Sequence, residues 1–197
     1  GIMAVGAIFG YILGCYANSL AVGILVAFLT AALCGLLFAA LTVSLQANQN
    51  ITGLTLTTFG LGIYFFVGNL LKATKWPVMG DYSGIVKGFA PIRIPLLSKI
   101  PVIGEGLFSH NIMVYLGIVI AVGMWFYLNR TTMGLKLRSV GENPGAADAV
   151  GINVKLTKYI HICLGCGIMG IGGYYMALNM GGSFSSICWI NGYGWIA

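Results

Sequence analysis

The chain has 197 residues, of which 58% are hydrophobic and 7% charged, and its mean hydropathy is +0.93. One water-soluble core of this size does not bury so much apolar side chain, and here it comes in long runs without a charge; the composition excludes a soluble domain and implies an all-α, polytopic membrane helix bundle. The net charge of +6 does not point to nucleic acid, because the ten basic residues lie in segments beside the apolar runs, where membrane lipid headgroups and topology account for them.

A membrane-spanning helix needs roughly 20 apolar residues. Runs at 2–16, 20–43, 51–71, 112–128 and 159–180 approach or meet that length without an internal charge, giving an expectation of about five spans. The chain begins at Gly1 inside an apolar run and ends at Ala197, where "GYGWIA" resembles the start of another span, so it reads as an internal part of a longer protein. Cys15, Cys34, Cys163 and Cys166 fall inside runs and Cys188 outside one, which gives no disulfide framework.

Three polar interruptions separate the runs. The first, "SLQANQN", is short and uncharged; the second covers 72–111 and the third 129–158. If each run crosses once, the first and third share a side and the second faces the other compartment. Lys72, Lys75, Lys87, Arg93 and Lys99 in the second loop match Arg130, Lys136, Arg138, Lys155 and Lys158 in the third, so the positive-inside rule ties on raw count. The third is shorter and denser in charge, which favours the cytoplasm, and Trp125 and Tyr127 suit an interfacial belt at its entrance. In the second loop Pro91, Pro95 and Pro101 oppose helix, so an extended or broken segment lying against protein or water is expected.

Two motif matches are better explained by packing than by chemistry. "GCGIMG" (Gly165, Gly167, Gly170) fits a dinucleotide fingerprint but has no strand before it and no acidic residue about 20 positions on. Small residues that let membrane helices approach closely explain it, as they explain Gly6, Gly10 and Gly14. "CLGC" (Cys163, Cys166) lies at hydrocarbon depth, where a redox thiolate is not expected. His161 has no second ligand at metal-binding spacing, so the sequence implies no metal and no cofactor. Asn129-Arg130-Thr131 fits a glycosylation acceptor, a pattern too common to carry weight.

A polar stripe opens the third run. Asn48, Gln49 and Asn50 lead into Thr52, Thr55 and Thr58, which recur every three residues near one helix face. Uncharged amides and hydroxyls suit hydrogen bonding to a neutral, hydroxyl-rich solute, and equally suit polar contacts between helices.

The third loop holds "RSVGENPGAADAVGIN". Asn143 suits an N-cap, Pro144 the first helical turn and Gly151 a C-terminal stop, which predicts a helix over 144–150. So short a helix is unstable alone, since about 12 to 15 residues are marginal in water. Ala146, Ala149 and Val150 give it a small apolar face beside Asp148, suited to the groove of a soluble partner or to the headgroup layer.

These residues carry a resemblance. "TMGLKLRSVGENPGAADAVGINV" resembles the cytoplasmic coupling loop of permease subunits of bacterial ABC importers for simple sugars, nucleosides and branched-chain amino acids. "LTVSLQANQNITGLTLTTFG" and "PIRIPLLSKIPVIGEGLF" are similar to its nucleoside and simple-sugar branch. The resemblance covers nearly the whole chain and implies one transmembrane permease domain over 1–197 in the bacterial cytoplasmic membrane. It further implies an external loop at 72–111 and a coupling loop at 129–158. It implies as partners an ABC ATP-binding subunit, a second permease subunit and an extracytoplasmic solute-binding protein. By motif match the coupling role falls on Arg138, Gly141, Asn143, Ala146, Ala147, Asp148, Gly151 and Ile152. Ala146-Ala147-x-x-x-Gly151 echoes the EAA loop of other importer permeases, without the I-x-L-P that follows there.

The runs contain no Asp, Glu, Lys or Arg of the kind an ion-driven carrier uses, and the chain has no phosphate loop of its own. Energy from a partner subunit is therefore expected. A channel or facilitator for small polar solutes is the alternative, and it leaves the capped loop helix unexplained. A membrane enzyme is disfavoured, as no acid/base pair or nucleophile with a base lies near a run.

Overall fold

The computed structural model describes residues 1–73 and 112–179. The proline-rich part of the second loop, Cys188 and the chain beyond residue 179 lie outside the described residues. One compact unit comprises Gly1–Ile85 with Asn153–Ala197, and the other Val86–Ile152. Every regular element among the described residues is helical.

In the first unit α1 (Ile2–Ala17), α2 (Leu20–Ala39) and α7 (Val154–Asn179) pack on one another, and α3 (Gln49–Ala73) lies chiefly on α1. Small residues set these contacts. A Cβ on Gly6 would stand 2.7 Å from Gly170 Cα, and one on Gly10 would stand 2.7 Å from the Ala27 methyl. On Gly170 it would collide with the Ala27 carbonyl and the Ala31 methyl. Lipid tails are as apolar as leucine, so such helices associate through close van der Waals contact, and Gly and Ala permit it. The glycine reading thus holds at Gly6, Gly10, Gly14, Gly167 and Gly170, whereas Gly165 faces open space.

Tyr174 is fully buried in this trio, its ring tip seated in a notch made by Gly14 and Gly23. Its hydroxyl finds no hydrogen-bond partner among the described residues. Ala4, Ala7, Ile8, Tyr64 and Ala177 close a neighbouring core between α1, α3 and α7.

The five apolar runs correspond to five helices. Four of them, within Leu20–Ser44, Gln49–Leu71, Ile112–Arg130 and Val154–Asn179, are long and apolar enough to cross a membrane; α1, at 16 residues, is shorter. The helices also outrun the hydropathy pattern. α7 starts at Val154 rather than near 159, because Asn153 Oδ1 accepts from Leu156 N at 3.0 Å and so caps a polar first turn. Apolar runs record membrane depth; caps record where helices end.

α2 leads into a π-helical turn, Ala40–Ser44, in which Leu45 N donates to Ala40 O at 3.1 Å. Gln46 then takes a left-handed φ of 51°, and Asn48 restarts the chain as α3: its Oδ1 accepts from Asn50 N at 3.0 Å and its carbonyl from Thr52 N at 3.0 Å. The Ser44 and Tyr159 hydroxyls share a hydrogen bond of 2.6 Å, tying this turn to α7.

The second unit contains α4 (Ile112–Arg130), α5 (Thr132–Glu142) and α6 (Pro144–Ala149). Along α4 only Met113 is buried.

Candidate coupling loop and polar stripe

The loop of the second unit is built as a series of stops. α4 ends where Thr131 donates to Tyr127 O at 2.6 Å and accepts from Gly134 N at 3.2 Å, so one hydroxyl closes α4 and caps α5. The corner is tight: a Cβ on Gly134 would stand 2.5 Å from the carbonyl oxygens of Tyr127 and Leu128. Asn129 donates to Trp125 O at 2.8 Å, and Arg138 Nη2 donates to Asn129 Oδ1 at 2.6 Å. Asn129 and Thr131 of the glycosylation pattern are thus occupied in shaping this corner.

Asn143 serves two helices. Its backbone N–H donates to Ser139 O at 3.0 Å at the end of α5, and its side chain accepts from Ala146 N at 3.1 Å at the start of α6. At the far end Ile152 N donates to Ala147 O at 3.0 Å and Gly151 N to Asp148 O at 2.9 Å, with Gly151 at φ 85°. That pairing is a Schellman motif, which needs a left-handed residue and so favours glycine. The helix therefore stops at Ala149, one residue earlier than the sequence predicts, with Val150 as its C-cap. Six residues are held as a helix because both ends are satisfied, not because the segment is helical by propensity.

Seven of the eight residues to which the resemblance assigns coupling face solvent or lie in part open. Arg138, Gly141, Asn143, Ala146, Asp148 and Gly151 are exposed and Ile152 is half-buried, whereas Ala147 is 4% exposed. Ala149 and Val150 complete the small apolar face, Val150 being 81% exposed. The eight do not form one surface: Arg138 braces α5 to α4, Asn143 and Gly151 set the ends of α6, and Ala146 with Asp148 is presented outward. Ala147 points into a cleft of about 370 Å³ between α5 and α6, whose walls include Leu135, Ser139, Val150 and Ile152. Gly134 was not among the residues singled out in the sequence, although its place two residues after the first polar turn of the loop was the signal available.

In the first unit the polar stripe divides. Asn48, Gln49, Asn50, Thr55 and Thr58 are exposed, while Thr52 is 7% exposed. A step of three residues turns a helix by about 300°, so Thr52 and Thr58 end roughly 120° apart. Thr52 begins a buried column with Leu56, Gly60 and Tyr64 at intervals of four. The hydroxyls of Thr52 and Thr55 donate to the carbonyls of Asn48 and Ile51, each at 2.9 Å, and that of Thr58 to Thr55 O at 2.9 Å. Their protons are committed, which leaves the exposed oxygens of Thr55 and Thr58 as acceptors and the amides of Asn48 to Asn50 as the donors of the stripe. Exposed Ile51, Leu54 and Phe59 flank it.

Thr57, on another face, lines a separate cleft of about 370 Å³ with Phe38, Leu56, His161 and Met169. His161 Nδ1 lies 2.7 Å from Thr157 O, a bond within its own helix. No group of three or more His, Cys, Asp or Glu is placed to hold a metal among the described residues. Cys163 and Cys166 are free thiols, and Cys166 is packed against Gly35.

Comparison with known proteins gives the chain's family. The profile of the family described as branched-chain amino acid transport system / permease component matches residues 1–197. The guanosine ABC transporter permease protein NupQ of Bacillus subtilis is 34% identical over 100% of this chain and 62% of its own length. The nucleoside ABC transporter permease protein NupC of Lactococcus lactis is 35% identical over 84% of this chain and 52% of its own. A Haloferax volcanii protein provisionally named as the glucose ABC transporter permease TsgC13 is 31% identical over 100% of this chain and 58% of its own. The chain thus spans between half and two thirds of the length of these relatives. No solved structure matches it closely. A multi-pass helical bundle, a short helix capped at both ends and a family match along its whole length lead to one conclusion: the chain belongs to the permease-component family of the branched-chain amino acid transport system type.

Proposed function

We propose that this chain is the core of a permease subunit of an ATP-driven importer, carrying a nucleoside or simple sugar across the bacterial cytoplasmic membrane. The observation that carries this reading is α6. A six-residue helix fixed by Asn143 at one end and the Gly151 motif at the other, with Ala146, Ala149 and Val150 outward, is a rigid small-faced plug. Such a plug suits a groove on a soluble ATP-binding subunit, which would hydrolyse the nucleotide while this chain moves the solute. NupQ and NupC, named for guanosine and nucleosides, support that solute class, and the provisional name of TsgC13 supports a sugar.

On this reading 129–158 faces the cytoplasm and 72–111 the outside. A second permease subunit completes the pathway, a solute-binding protein delivers the cargo, and the exposed stripe of Asn48, Gln49, Asn50, Thr55 and Thr58 lines the route. Thr52 supports the stripe from behind.

The test uses the full-length permease assembled with its ATPase. Val150→Asp places a charge on the outward face without touching a span. Solute-stimulated ATP hydrolysis should be lost while membrane insertion is kept, and unchanged stimulation would remove the docking reading. Ala147 is the wrong probe, because it is buried within its own unit and a bulky residue there would disturb the loop itself.

A further inference from the structure

We propose that the first unit carries a site for an anionic glycerophospholipid, with one acyl chain in the groove between α2 and α7 and the phosphate at the first turn of α7. The groove, about 370 Å³, is walled by Phe28, Ala32 and Leu36 from α2 and by Tyr159, Cys163 and Leu164 from α7. Residues four apart share a helix face, so Phe28, Ala32 and Leu36 form one straight wall, and Tyr159 with Cys163 the facing one. The result is a trough of roughly 12 Å along the helices, shaped for a run of methylenes rather than for a compact solute. Its bank on α2 is a ladder of exposed leucines, Leu25 at 62%, Leu29 at 59% and Leu33 at 65%, a surface that hydrocarbon covers.

The polar end of the trough selects the headgroup. The Tyr159 phenol is fixed there by its 2.6 Å bond to Ser44. One turn earlier on the same face stands Lys155, and Lys158 lies beside it; both are exposed. Side chains on a helix lean toward its N-terminus, which carries both ammonium groups away from the trough toward the headgroup layer. The described residues of this unit contain no Asp and no Glu, so neither lysine has a carboxylate among them. A phosphate supplies the missing anion. A purely apolar helix would fill the trough and leave the lysines unmatched, and a zwitterionic lipid brings its own cation with its phosphate. An anionic lipid satisfies both ends.

The site is tested on the full-length permease in its complex, in nanodiscs doped with phosphatidylglycerol or phosphatidylcholine carrying a diazirine on the acyl chain, with crosslinks mapped by peptide. The phosphatidylglycerol probe should label 28–36 and 159–164 in preference to the phosphatidylcholine probe. Removing charge with Lys155→Gln and Lys158→Gln should weaken that preference by roughly fivefold for each lysine. Filling the trough with Ala32→Phe should abolish labelling by both probes. Equal labelling of the parent by the two probes would overturn the headgroup assignment, and labelling by neither would show that protein, not lipid, covers the groove. Should a variant fail to assemble, the comparison of the two probes on the parent still decides.

Discussion

Arg138 Nη2 donates to Asn129 Oδ1 at 2.6 Å, joining the middle of α5 to the end of α4. A basic residue that reads in sequence as part of a docking surface is therefore also a brace for the helix that carries the loop. The two roles separate in a double-mutant cycle. If the brace dominates, Asn129→Ala and Arg138→Ala each lower the stability of the purified complex by about 0.5 to 1.5 kcal/mol, and the double variant loses little more than either. If Arg138 acts only on a partner, Asn129→Ala loses only its own bond to Trp125 O and the two effects add.

Gly134 and Gly141 lie in the same short helix and respond oppositely to a methyl group. At Gly134 a Cβ would press on the carbonyls of Tyr127 and Leu128, backbone that cannot rotate away, whereas at Gly141 it meets nothing within 4 Å. Gly134→Ala should open the α4–α5 corner and lower the melting temperature of the complex. Gly141→Ala should be neutral or stabilising, by up to about 1 kcal/mol, the usual gain of Ala over Gly in a helix. A loss of coupled ATP hydrolysis in Gly141→Ala at undiminished stability would show that a partner approaches Gly141 closely.

The loop shows what a sequence can and cannot convey. Asn143, Pro144 and Gly151 announced a short helix because capping is local chemistry, written in residues within five positions of one another. α5 was not anticipated, although Met133, Leu137 and Val140 recur at i, i+4 and i+7 and give it an apolar face between the caps Thr131 and Asn143; at 11 residues of near-neutral hydropathy it is too short and too polar to register among the long apolar runs. The inward turn of Ala147 and the division of the threonines are matters of facing, fixed by what each helix packs against. The π-helical turn at Ala40–Ser44 left no mark in composition, since it is an apolar continuation of α2. The close glycine contacts were legible as a class but not by partner, and Gly165, indistinguishable from Gly167 in sequence, turns to open space.

The loop helix depends on both of its ends. Asn143→Ala removes the acceptor for Ala146 N and should weaken the loop by about 1 kcal/mol, with Asn143→Asp retaining most of the cap. Gly151→Ala must hold a Cβ at φ 85°, at a penalty of roughly 1 to 2 kcal/mol. Both variants should raise the rate of proteolysis within 143–152 of the full-length protein, while Gly145→Ala, with only the Asn143 side chain nearby at 3.5 Å, should not. Uniform protection across all three would mean that something other than the caps holds α6.

Tyr174 offers a test of packing against polarity. Its ring fills the notch between Gly14 and Gly23, and its buried hydroxyl has no partner among the described residues. An unpaired buried hydroxyl carries a desolvation penalty of about 1 to 3 kcal/mol. Tyr174→Phe keeps the ring and removes the orphan, so the melting temperature should hold or rise. Tyr174→Leu empties part of the notch and should lower it. If Tyr174→Phe destabilises as much as Tyr174→Leu, the hydroxyl has a bonded partner outside the described residues.

The stripe on α3 can be separated by facing, since Thr52, Thr55 and Thr58 make the same kind of backbone bond from different sides of one helix. Threonine to valine keeps the shape and removes the acceptor oxygen. Thr55→Val and Thr58→Val alter exposed positions, so if the stripe lines the route each should reduce solute uptake without lowering stability. A translocation site must release what it binds, and the loss for each hydrogen bond should be only about 0.5 to 1.5 kcal/mol, a few-fold in uptake. Thr52→Val, buried in the helix contact, should act on stability instead. Thr57→Val reports on the other cleft, because Thr57 lines it with Phe38 and His161. Uptake into vesicles, normalised to assembled complex, distinguishes the cases. Selective loss at Thr55 and Thr58 supports a lining face; selective loss at Thr57 moves the route to the other cleft; no loss at any of the three leaves the hydroxyls as fastenings of α3 to its own backbone, and the route must then run along a different helix.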